Sequence, residues 1–163
     1  MRRGDKEIKD KAVIDQIISG SQVCRLGLAR DNVPYVIPVS FGYDGDAFYI
    51  HTAHTGRKIE FFEANPAVCL EFEQAVTLKP HESAACNWSF SFQSVVGYGS
   101  IHEVTDSAEK TAALHVIMKQ YSERDWSFSE AAIAGVRVWK ITIESLSGKQ
   151  SKDMMVPLSA SEA

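Results

Sequence analysis

Residues 91–104 form one long stretch that carries Phe92, Val95, Val96 and Val104 and is broken only by Gly97 and Gly99. Glycine inside a strand weakens it and marks a bulge or a bend, the means by which a sheet turns as in a barrel. A second run, residues 136–143, alternates apolar and polar side chains cleanly and reads as a final strand. Six or seven such strands, with single helices inserted and no alternating βα units, point to a mainly β fold. The expected architecture is a closed or nearly closed antiparallel barrel with α insertions.

The remaining elements follow in order. Ile8, Val13, Ile14, Ile17 and Ile18 recur near helical spacing over residues 6–19, and Ser19-Gly20-Ser21 supplies a stop. Residues 23–29 alternate, Arg30-Asp31-Asn32 turns, and residues 35–41 form the return strand of a hairpin. Asp44-Gly45 predicts a type I′ turn into a third strand at residues 47–50, giving a three-strand meander. Thr55-Gly56 opens a short helix that ends near Asn65-Pro66, because the residue before a proline avoids helical geometry. A strand follows at 67–72, then a loop or irregular strand at 74–88. Asp106 caps a helix, with Glu109 three residues on and Leu114, Ile117, Met118 and Tyr121 on its apolar face. Gly148-Lys149 closes the ordered pattern, so residues 1–150 form one domain and 151–163 a mobile tail.

Composition narrows the class of function. With 163 residues and 45% hydrophobic content the chain suits one globular domain. A net charge of −4 leaves no basic field for a phosphate backbone, so nucleic acid is not the expected partner. No apolar run approaches the roughly 20 residues of a membrane helix, and the first residues lead into no apolar signal core. The expected location is cytoplasmic, without a membrane partner. Cys24, Cys69 and Cys86 are odd in number and show no CxxC spacing, which fits reduced structural thiols.

Chemistry concentrates in His51-Thr52-Ala53-His54-Thr55-Gly56-Arg57-Lys58, where a strand end meets a helix start. Such a junction aims free N–H groups and the positive helix end at one point, which suits an anion. Arg57 can grip a phosphate bidentately, Lys58 adds a point charge, and the hydroxyls of Thr52 and Thr55 can donate. The residues alone leave a second reading open, a solvated first turn. His51 and His54 lack a third ligand nearby, so no metal is expected. No nucleophile elbow, P-loop or dinucleotide fingerprint occurs.

Several motifs in order resemble the flavin-binding split-barrel family related to pyridoxamine 5′-phosphate oxidase, and its nitroimidazole-resistance branch most of all. They are Met1-Arg2-Arg3, Arg25-Leu26-Gly27-Leu28, Pro34-Tyr35-Val36-Ile37-Pro38-Val39-Ser40-Phe41-Gly42-Tyr43, Phe48-Tyr49-Ile50-His51-Thr52-Ala53, Gly56-Arg57-Lys58 and Asn65-Pro66. Ser94-Val95-Val96-Gly97-Tyr98-Gly99, Glu109-Lys110 with Leu114 and Tyr121, and Gly148-Lys149 continue the series. The resemblance implies a homodimer with two FMN molecules in clefts between subunits. Matched by motif, Arg57 and Lys58 hold the FMN phosphate, and His51, Thr52 and Ala53 line the cofactor. Pro38, Val39 and Ser40 pass beside the flavin ring, and Gln93, Ser94 and Val95 reach it from the other subunit. His51 matches a histidine beside the flavin and is the one catalytic candidate.

The implied activity is FMN-dependent reduction of a small acceptor, nitroaromatic (5-nitroimidazole) or quinone-type. A non-catalytic flavin- or heme-binding stress protein is the alternative, and FAD or a deazaflavin can replace FMN in such barrels. Vitamin B6 oxidation is not expected, since Met154-Met155-Val156-Pro157-Leu158 does not match the arginine-containing substrate segment of the true oxidases.

Overall fold

The computed structural model of the protein describes residues 4–154. Met1-Arg2-Arg3 of the motif series and the tail from 155 onward lie outside the described residues. The elements are β1 (Glu7–Ile8), α1 (Lys11–Gly20), β2 (Cys24–Arg30), β3 (Val33–Val39), β4 (Gly42–Tyr43), β5 (Ala47–Thr52) and α2 (Arg57–Ala64). They continue as β6 (Ala67–Lys79), β7 (Ser89–Val104), α3 (Ser107–Lys119), α4 (Glu130–Ala134) and β8 (Arg137–Gln150).

One antiparallel sheet runs in the order β3-β2-β6-β7-β8-β5-β4, with β1 added on β8. β3 and β4 stand at opposite ends of that path, yet only Ser40 and Phe41 separate them in sequence. A sheet whose ends are tied by two residues must curl on itself. The result is the expected mainly β barrel with inserted helices, split along a seam between β3 and β4. Phe41 packs that seam from inside, with ring centroids 5.0 Å from Phe72 and 6.2 Å from Phe48. The register shift between Tyr98 and Gly99 is the bend anticipated in the long β7.

The sequence expectations need several corrections. β3 pairs with β2 alone and β5 pairs with β8, so the first strands are no meander. Asp31 and Asn32, with φ of 51° and 63°, form the type I′ turn, which requires positive φ at both central residues. At Asp44-Gly45 only Gly45 has positive φ, and the Asp44 carboxylate organises the loop instead, accepting from the N–H groups of Asp46 (2.9 Å) and Ala47 (2.8 Å). α1 starts at Lys11, capped by Asp10 accepting from the Ala12 N–H (2.9 Å), because Glu7 and Ile8 are drawn into the sheet opposite Lys149 and Gly148. β6 carries on to Lys79 through a register shift at Gln74/Thr77, and the five-residue α4 has no counterpart in the sequence reading.

Gly148 is a packing residue inside β8, not the end of the ordered pattern. A Cβ there would lie 2.8 Å from the Ile8 Cβ and 3.0 Å from Ile14 Cγ1, so β1 and α1 press onto the strand at a point where only hydrogen fits. Order also extends past residue 150. Ser151 is buried, its N–H donates to the Phe92 carbonyl (3.0 Å), and its Oγ accepts from the Phe92 N–H (3.2 Å). Ser151, which sequence assigns to the tail, is thus placed against β7. None of the described helices is long and apolar enough to cross a membrane.

Candidate functional site

β5 ends where its last buried side chain, Thr52, is fastened. The Thr52 hydroxyl accepts from Trp139 Nε1 (3.0 Å) and donates to the Ala53 carbonyl (2.9 Å). Its one proton is used, so this hydroxyl fixes the strand end and has no donor left for a phosphate. Alternation along β5 turns Ile50 and Thr52 inward and His51 outward to solvent. The His51 ring makes no hydrogen bond among the described residues. His54 is held instead, its Nε2 donating to the Ala134 carbonyl (3.0 Å).

Gly56, with φ of 132°, swings the chain into α2, and no side chain caps that helix. The Ile59 N–H donates to the Gly56 carbonyl (2.9 Å), while the N–H groups of Arg57 and Lys58 have no acceptor among the described residues and make the positive pole of the helix. Arg57 and Lys58 stand at this pole and form no ion pair with any described carboxylate. Arg57 does have neighbours. Its guanidinium lies 4.7 Å from the Tyr35 ring centroid and 5.6 Å from that of Phe61. The site thus holds two unneutralised cations, free N–H groups and an exposed histidine at the end of the preceding strand, an arrangement suited to a phosphate ester.

Arg137, opposite Thr52 in the register, braces the corner from behind. It donates to both oxygens of Glu103 (2.6 and 2.9 Å), to Glu63 near the end of α2 (2.9 Å) and to the His54 carbonyl (3.5 Å). Hydrogen bonding to this guanidinium holds the Glu103 carboxyl below its ordinary pKa, outweighing the opposing effect of its partial burial.

The other predicted residues are dispersed. Pro38 and Ser40 are exposed and Val39 half-buried at the end of edge strand β3, which has unpaired backbone groups along its free side. Val95 is fully enclosed in the barrel core and presents no side chain to the surface. The Gln93 amide is occupied on both sides, accepting from Gln74 Nε2 (3.0 Å) and donating to Gln150 Oε1 (3.0 Å). Gln93 also lies ten positions along β7 from Glu103, about 33 Å of strand at roughly 3.3 Å per residue. Among the described residues no hydrogen bond or ion pair joins Gln93, Ser94 or Val95 to Arg57 or Lys58. Sequence reading missed Tyr35, Phe61 and Arg137, whose roles depend on contacts between β3, α2 and β8 that no local pattern announces.

Residues 10–150 match the model of the family described as pyridoxamine 5′-phosphate oxidase. The chain belongs to that family. Among solved structures, a proposed 5-nitroimidazole antibiotic resistance protein from Bacteroides thetaiotaomicron is 33% identical, with 88% of this chain and 85% of that one covered and a TM-score of 0.78. These two matches support both the expected family and its nitroimidazole-resistance-like branch. An FAD-binding protein from Mesorhizobium loti is 25% identical over 87% of this chain and 95% of its own, at a TM-score of 0.63. An uncharacterized protein from Rhizobium meliloti is 28% identical over 58 residues, and that match spans 36% of this chain and 38% of the relative.

Proposed function

We propose that this family member is a cytoplasmic FMN-dependent oxidoreductase that passes electrons to a small acceptor, nitroaromatic or quinone-type. The observation that carries the reading is the pair Arg57 and Lys58, unpaired with any described carboxylate at the uncapped start of α2. A phosphate monoester, with a charge of roughly −1.5 to −2 at neutral pH, fits that donor set. Bound flavin supplies the hydride and electron chemistry, and the protein supplies binding, orientation and electrostatics. This accounts for a site without a triad or carboxylate pair.

Arg57 and Lys58 would hold the phosphate, together with the free N–H groups at the start of α2. The exposed backbone edge at Pro38, Val39 and Ser40 orients the ring, and Ala53 lines the turn between strand and helix. His51, the catalytic candidate, presents an exposed ring with no hydrogen bond among the described residues. Gln93, Ser94 and Val95 come from a second copy of the chain, so the working unit is a homodimer with a shared cleft. That no hydrogen bond or ion pair joins them to Arg57 among the described residues supports that assignment.

A visible spectrum of the purified protein, with mass identification of whatever denaturant releases, tests the cofactor. A flavin band with FMN released is expected. Release of FAD would favour the second reading, a dinucleotide at this corner, the relative from Mesorhizobium loti being an FAD-binding protein. A Soret band, or a colourless protein that takes up no FMN, would overturn the proposal. Turnover with NAD(P)H and a nitroaromatic separates an enzyme from a flavin carrier. His51→Ala is expected to slow turnover while sparing FMN affinity. Flavin retention should fall with dimer content on dilution, and a fully loaded monomer would refute the shared cleft.

A further inference from the structure

The geometry points to Tyr35 as a positioning residue that holds Arg57 in its phosphate-gripping pose, an inference that rests on the function proposed above. Arg57 has an obvious acidic neighbour in Glu60, three residues along the same helix and within reach on its face. Glu60 turns away from it. Its carboxylate accepts instead from Arg30 Nη1 at 3.2 Å, and the Arg30 guanidinium lies 5.1 Å from the Phe61 ring centroid. With the acid diverted, Arg57 rests on aromatic faces alone. Its Cζ sits 4.7 Å from the centroid of Tyr35 and 5.6 Å from that of Phe61, and the two rings are themselves 5.0 Å apart and tilted by 48°.

A ring face restrains a guanidinium without neutralising it, which a carboxylate would do. The donors along the guanidinium edge stay available, and the side chain gives up less freedom when an anion arrives. Tyr35 comes from β3 and Arg57 from α2, so the shelf also ties the phosphate corner to the same strand that ends in Pro38 and Val39. Tyr35 touches no ligand in this scheme; it acts through Arg57.

The experiment compares FMN with riboflavin, which lacks the phosphate, in fluorescence titrations of the full chain. Arg57→Ala should weaken FMN and leave riboflavin unchanged. Tyr35→Leu should weaken FMN by roughly 3- to 10-fold, as expected for a single cation–π contact, again sparing riboflavin, and Tyr35→Phe, which keeps the ring, should restore wild-type affinity. In the Arg57→Ala background Tyr35→Leu should have no further effect, since the two side chains act as one unit. If Tyr35→Leu does not fold, Tyr35→Ile, which strands favour, takes its place in the cycle. An equal loss from the Tyr35 substitution with and without Arg57, or a loss that extends to riboflavin, would overturn the positioning role and leave the phosphate site standing. An Arg57→Ala variant with unchanged FMN affinity would overturn the phosphate site itself, and the role of Tyr35 with it.

Discussion

Arg57 and Arg137 bracket the same helix and both lie against aromatic rings, yet they are opposites in charge balance. Arg137 has its side chain only 17% exposed, 4.6 Å from the Trp139 ring centroid, with two carboxylates on its nitrogens. Arg57 is exposed and has aromatic contacts but no acid. A cation surrounded by carboxylates has its hydrogen bonds filled before any ligand arrives, whereas one laid on rings keeps them. The first is suited to holding a fold together and the second to capturing an anion. Residue type does not tell them apart; only the neighbours do.

The contrast can be broken from either side. Replacing Arg57 and Lys58 together by Ala should cost the largest effect, a loss of FMN affinity of about 100-fold or more, since charge-assisted hydrogen bonds contribute roughly 1.5 to 3 kcal/mol each. The unfolding midpoint of the flavin-free protein should hardly move, and a substantial drop would show that these cations are structural after all. Arg137→Met should do the reverse. It leaves Glu103 and Glu63 unpartnered and should lower unfolding free energy by about 1 to 3 kcal/mol in denaturant titrations. A purely functional defect there would collapse the comparison.

Acid sharpens it further. Glu103 has its pKa depressed by Arg137, so its contribution to stability is present above the ordinary glutamate value of about 4.3 and is lost as pH falls through the lower value of the folded state. Glu103→Gln should therefore flatten the acid limb of the stability profile, while Arg57→Ala should leave that limb unchanged. The smallest effect concerns the diverted acid. Arg30→Gln should free Glu60 to pair with Arg57 and weaken FMN by about twofold, given 0.2 to 0.5 kcal/mol for a helical ion pair. Adding Glu60→Gln should restore the affinity, and a defect that persists would assign Arg30 some other task.

Much of this was legible in the chain itself. The strand and helix types, the stop at Asn65-Pro66, the Asp106 cap and the strand-to-helix corner bearing Arg57 and Lys58 follow from local rules, because turns, caps and periodicity involve residues a few positions apart. The pairing of β5 with β8 does not, since Ala47 and Thr142 meet across most of the sequence. Gly148 misled for the same reason: locally it resembles a terminator, and its function as a contact point is set by Ile8 and Ile14 arriving from the other end of the chain. In the site, the Thr52 hydroxyl reads locally as a phosphate donor, but Trp139 donates to it and its own proton goes to the Ala53 carbonyl. Long-range neighbours decided each of these cases.

The central place of β8 in the sheet bears on how the protein is made. β1, β5 and β7 all pair with this last strand. On a translating ribosome β5 is synthesised early and then waits for Arg137 and its successors, roughly 4 to 17 s at 5 to 20 residues per second. Throughout that interval Phe48 and Ile50, both buried in the finished barrel, have no β8 to lie against. The nascent chain thus carries a sticky, half-built sheet until its final strand emerges, and synthesis that halts before Arg137 leaves three strands lacking the same partner.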